Sequence, residues 1–379
     1  MGLPATRIDE REILLRAARL DAPAAEIDWS SVDWPRLVAM ASRHRMIPLL
    51  HRHLSGAAIP PEAAAELAAL NRAEAHRALE LAAELRRLMA ALAAAGVEAL
   101  AYKGPALAVQ AYGDLAARSF VDLDLLVPPD DAPRALGVLD AQGYARAMAL
   151  TPARERAFRR VDGDYPLVHQ ARGHLVELHA RVSTLRFAMP IDTDGLLRRA
   201  VSVRVGGGQV RTLGGDDLLL VLCVHGAKHR WKRLEWVAAV AALLCARGGK
   251  VAPVLAMASA VHARRTVLLG LSLVHRLLGA PVESDALREI AGDAGLAELA
   301  AEAEAVLFGD EIEGDDTAAR MRFNLRARDG AMDRARSAGR WLFAPSPEDW
   351  GWVSLPDALF PLYRVLRPVR LLVRHGRGR

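Results

Sequence analysis

At 379 residues the chain is long for one compact core, and about 150 residues per domain gives two or three units. A hydrophobic content of 52% excludes global disorder, while a net charge of +5 permits an anionic ligand. Dedicated nucleic-acid binding is disfavoured, because basic stripes with interleaved aromatics are absent.

In chain order, residues 1–95 read as helical. Pro35 suits a first helical turn, and Pro60-Pro61 interrupts the pattern. Beyond it Leu67, Leu70, Leu79, Leu81, Leu85, Leu88 and Leu92 recur at helical spacing until Gly96. Residues 97–102 read as a buried strand, 105–112 as a short helix, and 119–127 as a second strand. A helix over 130–142 precedes a hairpin of 164–170 with 174–182, turning at Ala171-Arg172-Gly173. A further hairpin over 201–213 is interrupted by Gly206-Gly207-Gly208. Helices return at Asp216 and continue through 251–340. The end is Pro-punctuated and carries Arg364, Arg367, Arg370, Arg374, Arg377 and Arg379, read as a solvated or self-docking helix. The pattern predicts an α+β protein. Its parts are a helical N-terminal region (1–95), a mixed β-sheet core (96–215), a helical domain (216–340) and a Pro/Arg-rich tail (341–379).

No uncharged apolar run reaches the roughly 18 residues of a membrane span. Residues 1–11 are charged and unlike a signal peptide, and Cys223 and Cys245 form no Cys-x-x-Cys pair. A reducing, cytoplasmic setting is expected.

The chemistry concentrates around Asp122 and Asp124. They stand two apart in an otherwise apolar run, so a strand presents both on one face, opposite Val121, Leu123, Leu125 and Val127. Paired carboxylates on a rigid element suit a divalent metal; without a counter-charge they are costly beside a buried sheet. Upstream, Lys103-Gly104 ends the preceding apolar run, where glycine lets backbone approach a phosphate and lysine adds charge. Glu177, His179 and Arg181 share one face of the later strand. If that strand lies beside 119–127, Glu177 joins the two aspartates. Three carboxylates around Mg²⁺ form the apparatus of nucleotidyl transfer, with the third available as general base.

This ordered set, Lys103-Gly104, Arg118 and Asp122-Leu-Asp124, resembles the uncharacterised bacterial nucleotidyltransferase family of the DNA polymerase beta-like superfamily. The resemblance extends to Val176-Glu-Leu-His179, Leu222-Cys-Val-His-Gly-Ala-Lys-His229, Arg233-Leu-Glu-Trp236, Pro345-Ser-Pro-Glu-Asp-Trp350 and Leu366-Arg-Pro-Val-Arg370. It implies a nucleotidyltransferase-like mixed sheet flanked by helical regions. It implies Mg²⁺, with Mn²⁺ as a substitute, held by Asp122, Asp124 and Glu177. A nucleoside triphosphate such as ATP would be positioned by Lys103, Gly104 and Arg118. His179, His225 and Lys228 would support the metal ligands or contact the acceptor. The implied reaction moves a nucleoside monophosphate to an unidentified acceptor and releases pyrophosphate. A small molecule is the first expectation, ahead of a peptide, a protein or tRNA.

Two departures stand out. The wider superfamily has Gly-Ser where this chain has Lys103-Gly104. The family's acid shortly after the Trp236 position is missing from Val237-Ala-Ala-Val-Ala241. The second departure keeps a rival open, a catalytically silent nucleotide-binding or scaffold protein on the same fold. Other readings also stay open. Arg118 could pair with Asp114 or Asp122 instead of phosphate. His225 and His229, four apart on a helix, could ligate zinc, contact a base or phosphate, or simply pack.

Overall fold

The computed structural model describes residues 9–19, 29–146, 150–309 and 317–376. Arg377 and Arg379, and the parts of the helical expectations that fall on 1–8, 20–28 and 310–316, lie outside the described residues.

Five strands form a mixed sheet: β1 (Leu100–Ala101), β2 (Asp122–Leu126), β3 (Tyr144–Arg146), β4 (Asp164–His169) and β5 (Leu175–His179). Their order is β1-β2-β5-β4-β3; β2 and β5 run parallel and every other pair is antiparallel. β6 (Val201–Val205) and β7 (Gly208–Thr212) make a separate hairpin. The chain is thus α+β, with helical stretches at both ends.

Apolar periodicity sorts the molecule into two cores. One packs the sheet, through Leu123, Leu125, Val176 and Leu178, against Leu81, Leu85, Leu88 and Leu92. The other joins helices near the N-terminus (Glu10–Ala18, Trp34–Arg43 and Ile47–His53) to later ones (Gly215–Lys228, Leu234–Ala246 and Arg264–Leu278). The helix Pro61–Ala94 belongs to both, with Leu67 in the helical core and its C-terminal half on the sheet. At 1.5 Å per residue it is about 50 Å long, enough to reach across.

Both anticipated hairpins formed. The first expected strand shrank to Leu100–Ala101, although the Tyr102 N–H still donates to the Asp124 carbonyl at 3.4 Å. Val121, expected on the buried face, is 38% exposed because pairing begins only at Asp122. β3 and the helix Pro152–Val161 were not anticipated. β3 is three residues long, and that helix buries only Phe158 among its arginines, so neither carries a periodic apolar signal.

Of the C-terminal arginines, Arg367 and Arg370 dock, whereas Arg364 is exposed. Ser346 and Asp349 form a capping box that opens the helix Pro347–Trp352. Arg367 and Arg370, on the helix Tyr363–Gly376, both pair with the buried Asp349 carboxylate. Among the described residues no helix is long and apolar enough to cross a membrane.

Candidate active site

Parallel pairing of β2 with β5 sets Asp124 directly opposite Glu177. Antiparallel pairing of β5 with β4 sets His179 opposite Asp164. These two registers gather acids from three strands on one sheet face. The Lys103-Gly104 turn closes the site from the β1 side. Gly104 has φ +52°, and a Cβ there would lie 3.2 Å from the Asp122 carbonyl oxygen. Glycine is therefore required by both conformation and contact, and the turn sits tightly on β2. Lys103 consequently reaches Asp124, its Nζ donating to Oδ1 at 2.7 Å.

His179 lies at the centre. Nε2 is 3.1 Å from Asp124 Oδ1 and 3.4 Å from Glu177 Oε2, while Nδ1 is 3.0 Å from Asp164 Oδ1. Lys228 Nζ lies 3.6 Å from Asp164 Oδ2. Burial disfavours the imidazolium, but three carboxylates outweigh it and hold the His179 pKa well above its ordinary value. Both ring nitrogens can then donate. Burial likewise raises the Asp124 pKa, yet Lys103 and His179 prevail and keep it well below the usual carboxylate range. Asp122 lacks such partners. Burial and the neighbouring Asp124 and Glu177 charges push its pKa up.

These side chains line a cavity of about 440 Å³. Gly104 brings the N-terminus of the helix Gly104–Tyr112 to its wall, where backbone N–H groups and the helix dipole suit an anion. Arg45, Arg118, Lys232 and Arg233 line it as well. Arg118 pairs with neither Asp114 nor Asp122. Its Nη2 lies 3.1 Å from Glu235 Oε2, while Asp114 instead caps the Ala116 N–H at 2.9 Å. Arg45 Nη1 approaches the same Glu235 at 3.6 Å. Neither contact has hydrogen-bond geometry, and Arg118 Nε and Nη1 are buried without a hydrogen-bond partner.

Six of the nine residues singled out from sequence converge tightly: Lys103, Gly104, Asp122, Asp124, Glu177 and His179. Arg118, His225 and Lys228 line the same cavity farther out. His225 and His229 face each other at 4.8 Å between ring centroids and both abut Trp236. Burial drives both pKa values down, His229 to about 2, so both rings are neutral. Among the described residues, the cluster with metal-ligating spacing is Asp124, Glu177 and His179, its ligand atoms all within 4.8 Å of one another. Asp122 lines the cavity but is outside that set.

The donor set fits a divalent cation. Asp124 and Glu177 converge as oxygen ligands, with Asp122 beside them, its pKa pushed up by burial and by its acidic neighbours, while His179, its own pKa held well above the ordinary value, is their counter-charge. Asp164 and Arg45 were missed from sequence, and Glu235, inside the Arg233-Leu-Glu-Trp236 motif, was given no role there. Asp164 could have been found, since folding the 164–182 hairpin about its turn brings it to His179. Nothing local marks Arg45.

The mixed sheet thus carries converging acids beneath a cationic turn and a helix N-terminus. Residues 30–279 match the family model described as "Uncharacterised nucleotidyltransferase", and the chain belongs to that family. Its enzymatic class is therefore nucleotidyl transfer, with a nucleotide as substrate. No curated protein matches the chain. Among solved structures, it is similar to an antigenic nucleotidyltransferase-like protein from Paracoccidioides brasiliensis. That match has 13% identity and a TM-score of 0.35, covering 55% of this chain and 97% of the other. So distant a likeness carries no argument here.

Proposed function

We propose that the protein transfers a nucleoside monophosphate from a nucleoside triphosphate to a small-molecule acceptor and releases pyrophosphate, with Mg²⁺ as cofactor. The observation that carries this is the convergence of Asp124, Glu177 and His179, with Asp122 beside them, under the Lys103-Gly104 turn.

Asp124 and Glu177 would hold the metal, with Asp122 and His179 completing the surrounding shell. When bound, Mg²⁺ supplies neutralisation of the triphosphate and polarisation of its α-phosphorus. Lys103 and the N-terminal N–H groups at Gly104 bind phosphate oxygens and orient the pyrophosphate leaving group. Arg118 offers two buried donors towards the same anion. An acceptor oxygen forms the new bond to the α-phosphorus as the α–β bridging P–O bond breaks. The electron pair of that bond leaves on pyrophosphate. Where the acceptor is a hydroxyl, Glu177 takes its proton; its side chain is 45% exposed and accessible from the cavity. His179 fixes Asp124 and Glu177 in register by donating to both.

Pyrophosphate release from each of the four nucleoside triphosphates, with Mg²⁺ or Mn²⁺ and a pool of small anionic and neutral metabolites, tests this. Wild type should release it only with metal, and Asp124→Ala should lose at least about a hundredfold. Undiminished turnover in Asp124→Ala would refute the assignment.

A further inference from the structure

A second cavity, of about 670 Å³, adjoins the first and shares Asp164, Phe187 and Lys228 with it. Five arginines contribute to its wall: Arg186, Arg320, Arg328, Arg367 and Arg370. Four of them already have partners, Arg320 among them. Arg186 forks onto Asp162, and Arg367 and Arg370 are held by Asp349.

Arg328 differs. It is only 2% exposed, and its Nε and Nη1 have no hydrogen-bond partner. No described carboxylate pairs with it; its guanidinium carbon sits 6.0 Å from the Phe187 ring centroid. Burial pushes its pKa from 12.5 down to about 10, so it stays charged at neutral pH. A buried, unpaired guanidinium is a liability for the fold by itself. Such a cost is characteristic of a group kept for a ligand that brings the counter-charge.

We propose that this second cavity is the acceptor subsite and that it takes a small acceptor bearing a phosphoryl or carboxylate group, whose oxygens accept hydrogen bonds from Arg328. The inference rests on the nucleotidyl-transfer reading of the adjoining site. The volume lies in the range of small-molecule sites, and Phe187 and Trp341 add apolar surface for the body of such a molecule. Lys228 lies on the shared wall; Asp162, Asp164 and Glu348 also line the cavity, Asp162 paired with Arg186 and Asp164 with His179.

The test is calorimetric titration of inorganic phosphate, and separately of acetate, into the full chain saturated with Mg²⁺ and a non-hydrolysable triphosphate analogue. Saturation fills the first cavity, so the titration reads the second. At least one anion should bind, and the tighter of the two identifies the acceptor's charged group. Arg328→Met should weaken that binding by about tenfold or more while the analogue still binds. Having no described carboxylate partner to abandon, the variant should melt no lower than wild type. Arg328→Gln, which keeps a polar side chain, is the second variant and should show the same loss. No binding of either anion, or equal affinity in wild type and both variants, overturns the proposal. So does a tRNA gel shift at fixed salt that disappears in Arg328→Met, which would make the acceptor a nucleic acid. Failure of wild type to bind the analogue would count against the nucleotidyl-transfer reading instead. The anion titration into unloaded protein would then still decide the role of Arg328.

Discussion

Gly104 carries two constraints at one position, a left-handed φ and a close approach to the Asp122 carbonyl. A methyl group there strains the backbone and presses on the strand that holds both aspartates. Gly104→Ala should cost about 1–2 kcal/mol, read as a lowered urea midpoint with an unchanged slope. An unmoved midpoint would mean the turn adapts freely. At this scale the sequence was most legible where spacing alone determines geometry. Asp122 and Asp124 share a face because strands alternate, and Glu177 and His179 do so for the same reason. The partner of Arg118 was not legible. Glu235 lies far along the chain inside an apolar helix, and no local pattern distinguishes a buried acid with two arginine neighbours from a solvated one.

Among the elements, the helix Pro61–Ala94, packed on the sheet through its leucines, is also tied to it by one buried acid. Glu84 receives hydrogen bonds from Tyr144 on β3 at 2.7 Å, from Arg87 at 2.6 and 2.9 Å, and from Arg172 at 3.0 and 3.2 Å. Burial raises its pKa, but these donors win and carry it from 4.5 to about 2. A carboxylate depressed in the folded state contributes stability above its unfolded pKa and loses it as pH falls through the folded one. Glu84→Gln should therefore cost about 2 kcal/mol at pH 7, and the difference from wild type should shrink between about pH 4.5 and pH 2. Urea unfolding at pH 7 and pH 3 measures it; a gap that does not narrow at pH 3 contradicts the account. This node explains why β3 escaped sequence analysis. Its three residues are held largely by Tyr144 and the edge of β4, which are tertiary contacts and leave no periodic trace.

For the whole molecule, the site lies where the two cores meet. Asp122, Asp124, Glu177 and Lys103 come from the sheet side, whereas His225, Arg233 and Glu235 come from the helical core. Arg45, from the helical segment near the N-terminus, reaches the same Glu235 as Arg118. The sequence could not have shown this. Ala- and Leu-rich helices have nearly interchangeable apolar stripes, so periodicity identifies each helix without selecting its neighbour. The placement has a thermodynamic consequence. A ligand bridging both sides stabilises the folded chain by RT ln(1 + [L]/Kd), about 2.7 kcal/mol at a hundredfold excess over Kd. A non-hydrolysable triphosphate analogue with Mg²⁺ should therefore raise the melting temperature by several degrees. The analogue with a chelator should give a smaller rise, since the acids then repel the triphosphate. In Asp124→Ala the increment that depends on Mg²⁺ should vanish. Part of the metal-free increment should persist, because Lys103, Arg118 and the Gly104 N-terminus are intact. Differential scanning calorimetry separates the cases. Equal rises with and without metal in wild type would place the nucleotide away from the acids and leave their convergence without a role in binding it.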